Sequence, residues 1–312
     1  MSVKRAFIIL CTTIAILAVL EIIARIILSN VYNRKFDSSL IEEHKYVTSS
    51  GLKANARGMV WGKPFHTDEM GGRRQTKRKA DKPKLLVIGD SVTEGVGVYD
   101  STTFANMIND RVDSFDIRNI SLIGWSVNDY NTTLHWLVNK DTTIKAVYVF
   151  YCLNDIYGRS GGGRISRLIG YGDWISGLSR VLQDHYATYK LVKLFVLQNS
   201  DKYYQYDRAL YKDQDLIGAV MADLEHMKEE CDNSKVDFKV FILPYRSQLQ
   251  GKHDNLPQQV LIDQFKKKGI NYLDLLPEMA KAGDPKSLYL FADEIHLSPM
   301  GHRAVADAIF HK

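Results

Sequence analysis

The apolar and polar positions divide this chain into three stretches. Residues 6–28, AFIILCTTIAILAVLEIIARIIL, are apolar with two charges, Glu21 and Arg25, near the far end. About 20 apolar residues suffice to cross a bilayer core as a helix. Glu21 and Arg25 stand four apart, share a helical face and can pair at the interface. Residues 30–80 lack sustained periodicity and are rich in glycine and charge, which reads as a stalk carrying a short strand or two. From residue 84 onward, apolar runs of strand length alternate with segments of helical period. The pattern predicts strands over 84–89 (KLLVIG), 115–123, 144–151, 238–244 and 270–276. It predicts helices near 102–112, 127–139, 213–230, 257–268 and 298–310. Residues 156–210 interrupt the rhythm with the glycine-rich GRSGGGRISRLIGYGDW and then tyrosine-rich, helical material. The expected organisation is an anchor over 1–29, a stalk over 30–83, and a domain over 84–312 with an insertion at 156–210.

Strands alternating with helices imply parallel β-α-β units and a doubly wound α/β sheet with helices on both faces, a three-layer α/β/α arrangement. Such sheets bind ligands beyond the carboxyl ends of their strands. Ser91, Gly124 and Asn154 each lie just past the end of one of the first three strands.

Composition adds bounds. Hydrophobic residues make up 45% and charged residues 25% of the chain, which excludes wholesale disorder. The net charge of +5 comes from 41 basic and 36 acidic residues. Much of the excess is the run Arg73, Arg74, Lys77, Arg78, Lys79, Lys82 and Lys84, read as a solvated linker. No aromatic residues interleave it, so nucleic-acid binding is not expected. The three cysteines, Cys11, Cys152 and Cys231, form no CxxC pair and imply neither a metal site nor a disulfide framework. No Ala-x-Ala-like site follows the apolar run and no lipobox precedes a cysteine, which favours an uncleaved anchor over a signal peptide. Lys4 and Arg5 precede that run and Arg34 and Lys35 follow it, so the charge balance is nearly even. The short N-terminal tail, left inside, would place the remaining chain outside the cytoplasm.

The stretch KLLVIGDSVTEGVG (84–97) admits several chemistries. A phosphate loop would need GxxxxGK[ST] or GxGxxG; neither is present, and Asp90 and Glu94 would repel phosphate. A GxSxG elbow would need glycine where Thr93 stands. What remains is a serine on a tight turn between a strand and a helix, whose unpaired N–H groups face any oxyanion formed there. A serine hydroxyl needs a histidine base oriented by a third group. LFADEIHLSPMGHRAVADAI supplies Asp293 and His296, three apart, before the last helix. Each element also has a plain reading. A loop histidine is often a surface or capping residue, Asn154 can cap the segment after it, Cys152 can be a packed strand residue, and Asp90 holds the turn through backbone N–H groups. His302 is a rival base but falls inside the last helix, facing away from the strand ends.

GDSVTEG after the first strand, glycine after the second, LND after the third and DEIHLSPMGH before the last helix occur in this order. Together they resemble the sequence blocks of the SGNH (GDSL-type) hydrolase superfamily over roughly 84–312. The resemblance implies a flavodoxin-like sheet and serine esterase chemistry with no metal or organic cofactor. Position by position, Ser91 matches the nucleophile, Asp293 and His296 the acid–base pair, and Ser91, Gly124 and Asn154 the oxyanion hole. The family commonly has glycine where this chain has Cys152, which would narrow the pocket. The apolar anchor, basic GGRRQ stalk and hydrolase domain are also similar to bacterial membrane-anchored SGNH proteins. Substrates implied are O-acyl groups of a carbohydrate or lipid. An O-acyltransferase acting on a cell-surface polysaccharide is the alternative, with Arg159, Arg164, Arg167, Trp174 and the tyrosines of the insertion as a carbohydrate wall or, equally, a structural lid. A non-catalytic anchored binding protein is a further one.

Overall fold

The computed structural model describes residues 3–31, 33–160, 181–182, 185–193 and 200–310. Arg164, Arg167 and Trp174 lie outside the described residues, as does the side chain of Arg159. The chain forms two compact units, residues 34–161 with 200–312, and residues 1–33 with 162–199.

In the smaller unit, α1 (Val3–Val31) is a single apolar helix. Its stretch Val3–Ser29 is 27 residues long and apolar enough to cross a membrane. At 1.5 Å per residue it spans about 40 Å, more than the ~30 Å hydrocarbon core. Glu21 and Arg25 pair at 2.8 Å. The Glu21 carboxylate also accepts from the backbone N–H groups of Ala187 and Thr188, at 2.8 and 2.9 Å, at the start of the short helix Ala187–Val192.

The larger unit opens with two antiparallel hairpins, β1 (Ile41–Tyr46) with β2 (Ser49–Leu52) and β3 (Arg57–Val60) with β4 (Lys63–His66). The sheet follows: β5 (Lys84–Gly89), β6 (Asp116–Asn119), β7 (Ile144–Cys152), β8 (Asp237–Leu243) and β9 (Tyr272–Asp274). All five are parallel, in the order β6-β5-β7-β8-β9. The short turn of helix α2 (Ser91–Glu94) and helix α3 (Phe104–Arg111) follow β5, and α4 (Val127–Val138) follows β6. After α5 (Ser200–Leu210) come α6 (Gln214–Asn233), α7 (Leu256–Lys268) and α8 (Pro299–Phe310). Helix α3 packs with α8 and α4 packs with α6, so the sheet is covered on both faces. This is the doubly wound α/β/α arrangement, and its strand order reverses direction at β5. The predicted elements from 84 onward are present, with β6 and β9 shorter than expected.

Residues 34–83 differ from the expected stalk. Leu40, Tyr46, Leu52, Val60 and Phe65 are buried in the same core as the sheet. The Tyr46 ring meets Trp125 and Trp136 edge-on at 5.9 and 5.4 Å. Arg73 bridges Asn119, covering the β6 edge of the sheet. The basic run is not a solvated linker throughout. Arg73 and Lys79 are 2% and 7% exposed, because backbone carbonyls converge on them. The Lys79 ammonium donates to the carbonyls of Asn109 and Val112 at the end of α3.

The tyrosine-rich material at the end of the insertion is largely core. Tyr211 donates to Leu153 O at 2.9 Å, and Asp207 accepts from the hydroxyls of Tyr157 and Tyr245. Burial pushes the Asp207 carboxyl up to about 6, against the pull of those two hydroxyls. These side chains therefore brace the fold; Tyr203, on the same helix, is exposed.

Candidate active site

β5 ends at Gly89, and the chain turns at once into α2, placing Ser91 at the carboxyl edge of the sheet where the strand order reverses. Asp90 caps that turn: its Oδ1 accepts from Val92 N at 2.9 Å. Its Oδ2 is buried near the Asn154 amide, outside hydrogen-bond geometry. Burial pushes this carboxyl up, while the Val92 N–H and the positive charge available at His296 pull it down. The helix expected after Ser91 is a single turn, so the donors there are its free N–H groups and not a long helix dipole.

The loop before α8 brings the other groups to Ser91. Ser91 Oγ lies 2.9 Å from His296 Nε2, 205 positions away in sequence. On the far side of the ring, Nδ1 is 3.0 Å from Asp293 Oδ2. The other oxygen, Oδ1, accepts from the backbone N–H groups of Ile295 and His296, at 2.8 and 3.0 Å. Burial alone would raise the Asp293 carboxyl. The charge and hydrogen bonds of His296 and the Arg34 guanidinium instead hold it well below the usual carboxylate range. A carboxylate on Nδ1 leaves Nε2 as the free lone pair facing the serine.

Gly124 and Asn154 stand on the loops after β6 and β7 at the same sheet edge. Gly124 is exposed and has φ +85°, a conformation other residues adopt only under strain. Among the described residues, no protein acceptor takes the backbone N–H of Ser91 or Gly124. Asn154 is half-buried, and its Oδ1 has no hydrogen-bond partner among the described residues. No hydrogen bond joins Gly124 or Asn154 to Ser91 or His296 among those residues. Ser91, His296 and Asp293 are thus brought into direct contact, while Gly124 and Asn154 share only their place at the sheet edge.

Residues not singled out as site groups also build this region. Glu94 is fully buried beneath the turn; its Oε2 accepts from Ile123 N at 2.9 Å and so ties α2 to the loop bearing Gly124. Burial pushes the Glu94 carboxyl up to about 8, against the attraction of Arg73. Arg73 donates to the carbonyls of Glu94, Gly95 and Val98 at 2.8, 2.5 and 2.6 Å, and to Asp100 Oδ1 at 2.9 Å. Asp155 accepts from Cys152 N and from the Tyr130 hydroxyl, both at 2.8 Å, and holds the bend after β7. Trp61 meets the His296 ring at 4.5 Å. Glu94 and Arg73 were visible in the sequence as charges only, and nothing local marks Trp61.

His302 is buried in α8, where its Nδ1 accepts from Phe104 N at 3.2 Å. Burial, and then the Arg73 charge, lowers its imidazole to about 3. It is a neutral packing residue. Cys152 is buried at the end of β7, and burial pushes its thiol well up, so it is no nucleophile.

No family model and no curated protein matches the sequence. Solved structures with a similar arrangement include a member of the lipolytic protein G-D-S-L family from Veillonella parvula DSM 2008, 14% identical, covering 73% of this chain and 96% of that one, with a TM-score of 0.44. A lipase/acylhydrolase from Enterococcus faecalis is 13% identical over 74% of this chain and 94% of that one, with a TM-score of 0.43. An acetylxylan esterase from Geobacillus stearothermophilus is 14% identical over 73% of this chain and 93% of that one, with a TM-score of 0.42. The chemistry has to come from the chain's own side chains.

Proposed function

We propose that the larger unit is a serine-dependent acyl ester hydrolase, tethered to a membrane by α1 and acting on O-acyl groups of a carbohydrate or lipid presented there. One observation carries this reading: the continuous path Ser91 Oγ to His296 Nε2 at 2.9 Å and His296 Nδ1 to Asp293 Oδ2 at 3.0 Å. In the proposed reaction His296 takes the serine proton as Ser91 Oγ attacks the ester carbonyl. Asp293 orients the ring and stabilises the imidazolium. The oxyanion is received by the N–H groups of Ser91 and Gly124 and by the Asn154 amide, each donor contributing about 3 kcal/mol in the transition state. His296 then returns the proton to the leaving alcohol, and water releases the acyl group from Ser91 by the same steps. Asp90 and Glu94 support this set from below, through the turn and the Gly124 loop.

The test is hydrolysis of p-nitrophenyl acetate by the full chain in detergent. Ser91→Ala, with unchanged circular dichroism, is expected to lower the rate roughly a thousandfold or more. Turnover persisting in that variant would refute the assignment.

A further inference from the structure

One group on Asp293 comes from outside the predicted motifs. Arg34 lies three positions beyond the end of α1, and the chain around it is pinned to the β3–β4 hairpin. Trp61 N donates to Lys35 O at 2.8 Å, and Phe36 bridges Val60. From this position Arg34 Nη2 reaches Asp293 Oδ2 at 2.6 Å, with the two side chains 27% and 4% exposed. The guanidinium also sits 4.8 Å from the centre of the Trp61 ring. The same indole packs edge-on against His296, with ring centres 4.5 Å apart and an interplanar angle of 61°. Trp61 itself has φ +49°, an uncommon conformation for an aromatic residue, in the turn that aims it at His296.

Asp293 Oδ2 therefore receives two donors, His296 Nδ1 and Arg34 Nη2. A second cation on that oxygen has two consequences. It adds a further donor to a carboxylate already held by the N–H groups of Ile295 and His296 and by His296 Nδ1–H, and so narrows the range of its aim at the imidazole. It also draws negative charge away from Nδ1–H, so the imidazolium gains less from Asp293 than it would from an unshared carboxylate.

We propose that Arg34 is a positioning residue for the Ser91–His296–Asp293 set. It holds the Asp293 carboxylate and the Trp61 indole against His296 and keeps the imidazole available as a base to lower pH. This rests on the hydrolase reading above. Among the described residues, the other titratable groups facing the cluster are Asp90 from the nucleophile turn, Tyr203 from α5 and Tyr289 from the segment before His296. Full burial raises Tyr289, and the partial covering of the otherwise exposed Tyr203 ring raises it too, so both stay neutral through the working range. Glu294, the neighbour of Asp293, is turned towards Ser247 N at 2.6 Å and Arg246 at 3.4 Å.

The experiment is the pH dependence of kcat/KM for p-nitrophenyl acetate with the full chain in detergent. Arg34→Ala is expected to move the acid limb up by about one pH unit, the effect of removing one partly exposed charge near the base. The plateau should fall by about tenfold through lost orientation. Arg34→Lys, which keeps the charge, should leave the limb near its wild-type position. An Arg34→Ala limb at the wild-type pH overturns the proposal even if the rate falls, because lost stability lowers the active fraction without moving a pKa. If Arg34→Ala does not fold, Arg34→Gln, whose planar amide still covers Trp61, carries the same expected shift and the same refutation. A wild-type chain without turnover would instead refute the hydrolase reading itself.

Discussion

Asp293 divides its two oxygens between backbone and side chains, and this division ties the loop before α8 to the imidazole. Oδ1 closes the turn through Ile295 N and His296 N, while Oδ2 meets His296 Nδ1 and Arg34. One side chain thus shapes the turn and aims the imidazole. Gly124 contributes through its backbone alone. A Cβ there would meet no atom within 4 Å, so a substitution clashes with nothing but strains the left-handed backbone, by about 1–2 kcal/mol. Gly124→Ala is expected to lower kcat about ten- to a hundredfold as its N–H turns away, with the thermal midpoint falling only a few degrees. An unchanged kcat would remove this N–H from the reaction. Ser91, Asp293 and His296 were legible because short motifs carry them. Arg34 was legible only as one charge in a topology count, since nothing near it in sequence points to residue 293.

The hairpin β3–β4 and the helix α8 each depend on a close backbone approach. The two-residue turn Trp61–Gly62 has φ +49° and +73°, the signs of the tight hairpin turn that matches strand twist. This turn puts an indole beside His296 from a segment that reads as irregular in the sequence. Gly301, in the first turn of α8, lies against the short helix Pro285–Leu288. A Cβ there would come 1.9 Å from Leu288 O. A backbone carbonyl cannot give way as a flexible side chain does, so Gly301→Ala should destabilise the unit by about 3 kcal/mol or more. Because His296 and α8 leave the same loop, ester turnover should fall with it. Denaturant unfolding of the full chain measures the loss, and a midpoint equal to wild type would contradict the packing described. The helices and strands from 84 onward were legible from their periods. The hairpins were legible only as a short strand or two, because strands of four to six residues carry too little alternation to separate from a loop.

For the whole molecule, the proposed anchoring by α1 can be tested together with the side of the membrane on which the sheet unit lies. The flanking charges, Lys4 and Arg5 before α1 and Arg34 and Lys35 after it, nearly balance, and we propose the orientation that leaves residues 34–312 outside the cytoplasm. External protease on bacterial spheroplasts is then expected to digest the larger unit without lysis; its protection until lysis would reverse the orientation. The α/β architecture, the apolar helix and the order of the candidate groups were all present in the linear pattern, since each depends on spacings of a few residues. The meeting of Ser91 with His296 across 205 positions needed the sheet, which carries both to one edge. The fate of the basic run needed it too. A cation has the same appearance in a sequence whether water or carbonyls surround it. Arg73 and Lys79 are buried because the turn after Ser91 and the end of α3 bring carbonyl oxygens to them. Arg34 faces Asp293 for a related reason: pairing across the hairpin sets where it ends up, and pairing is a property of the folded chain.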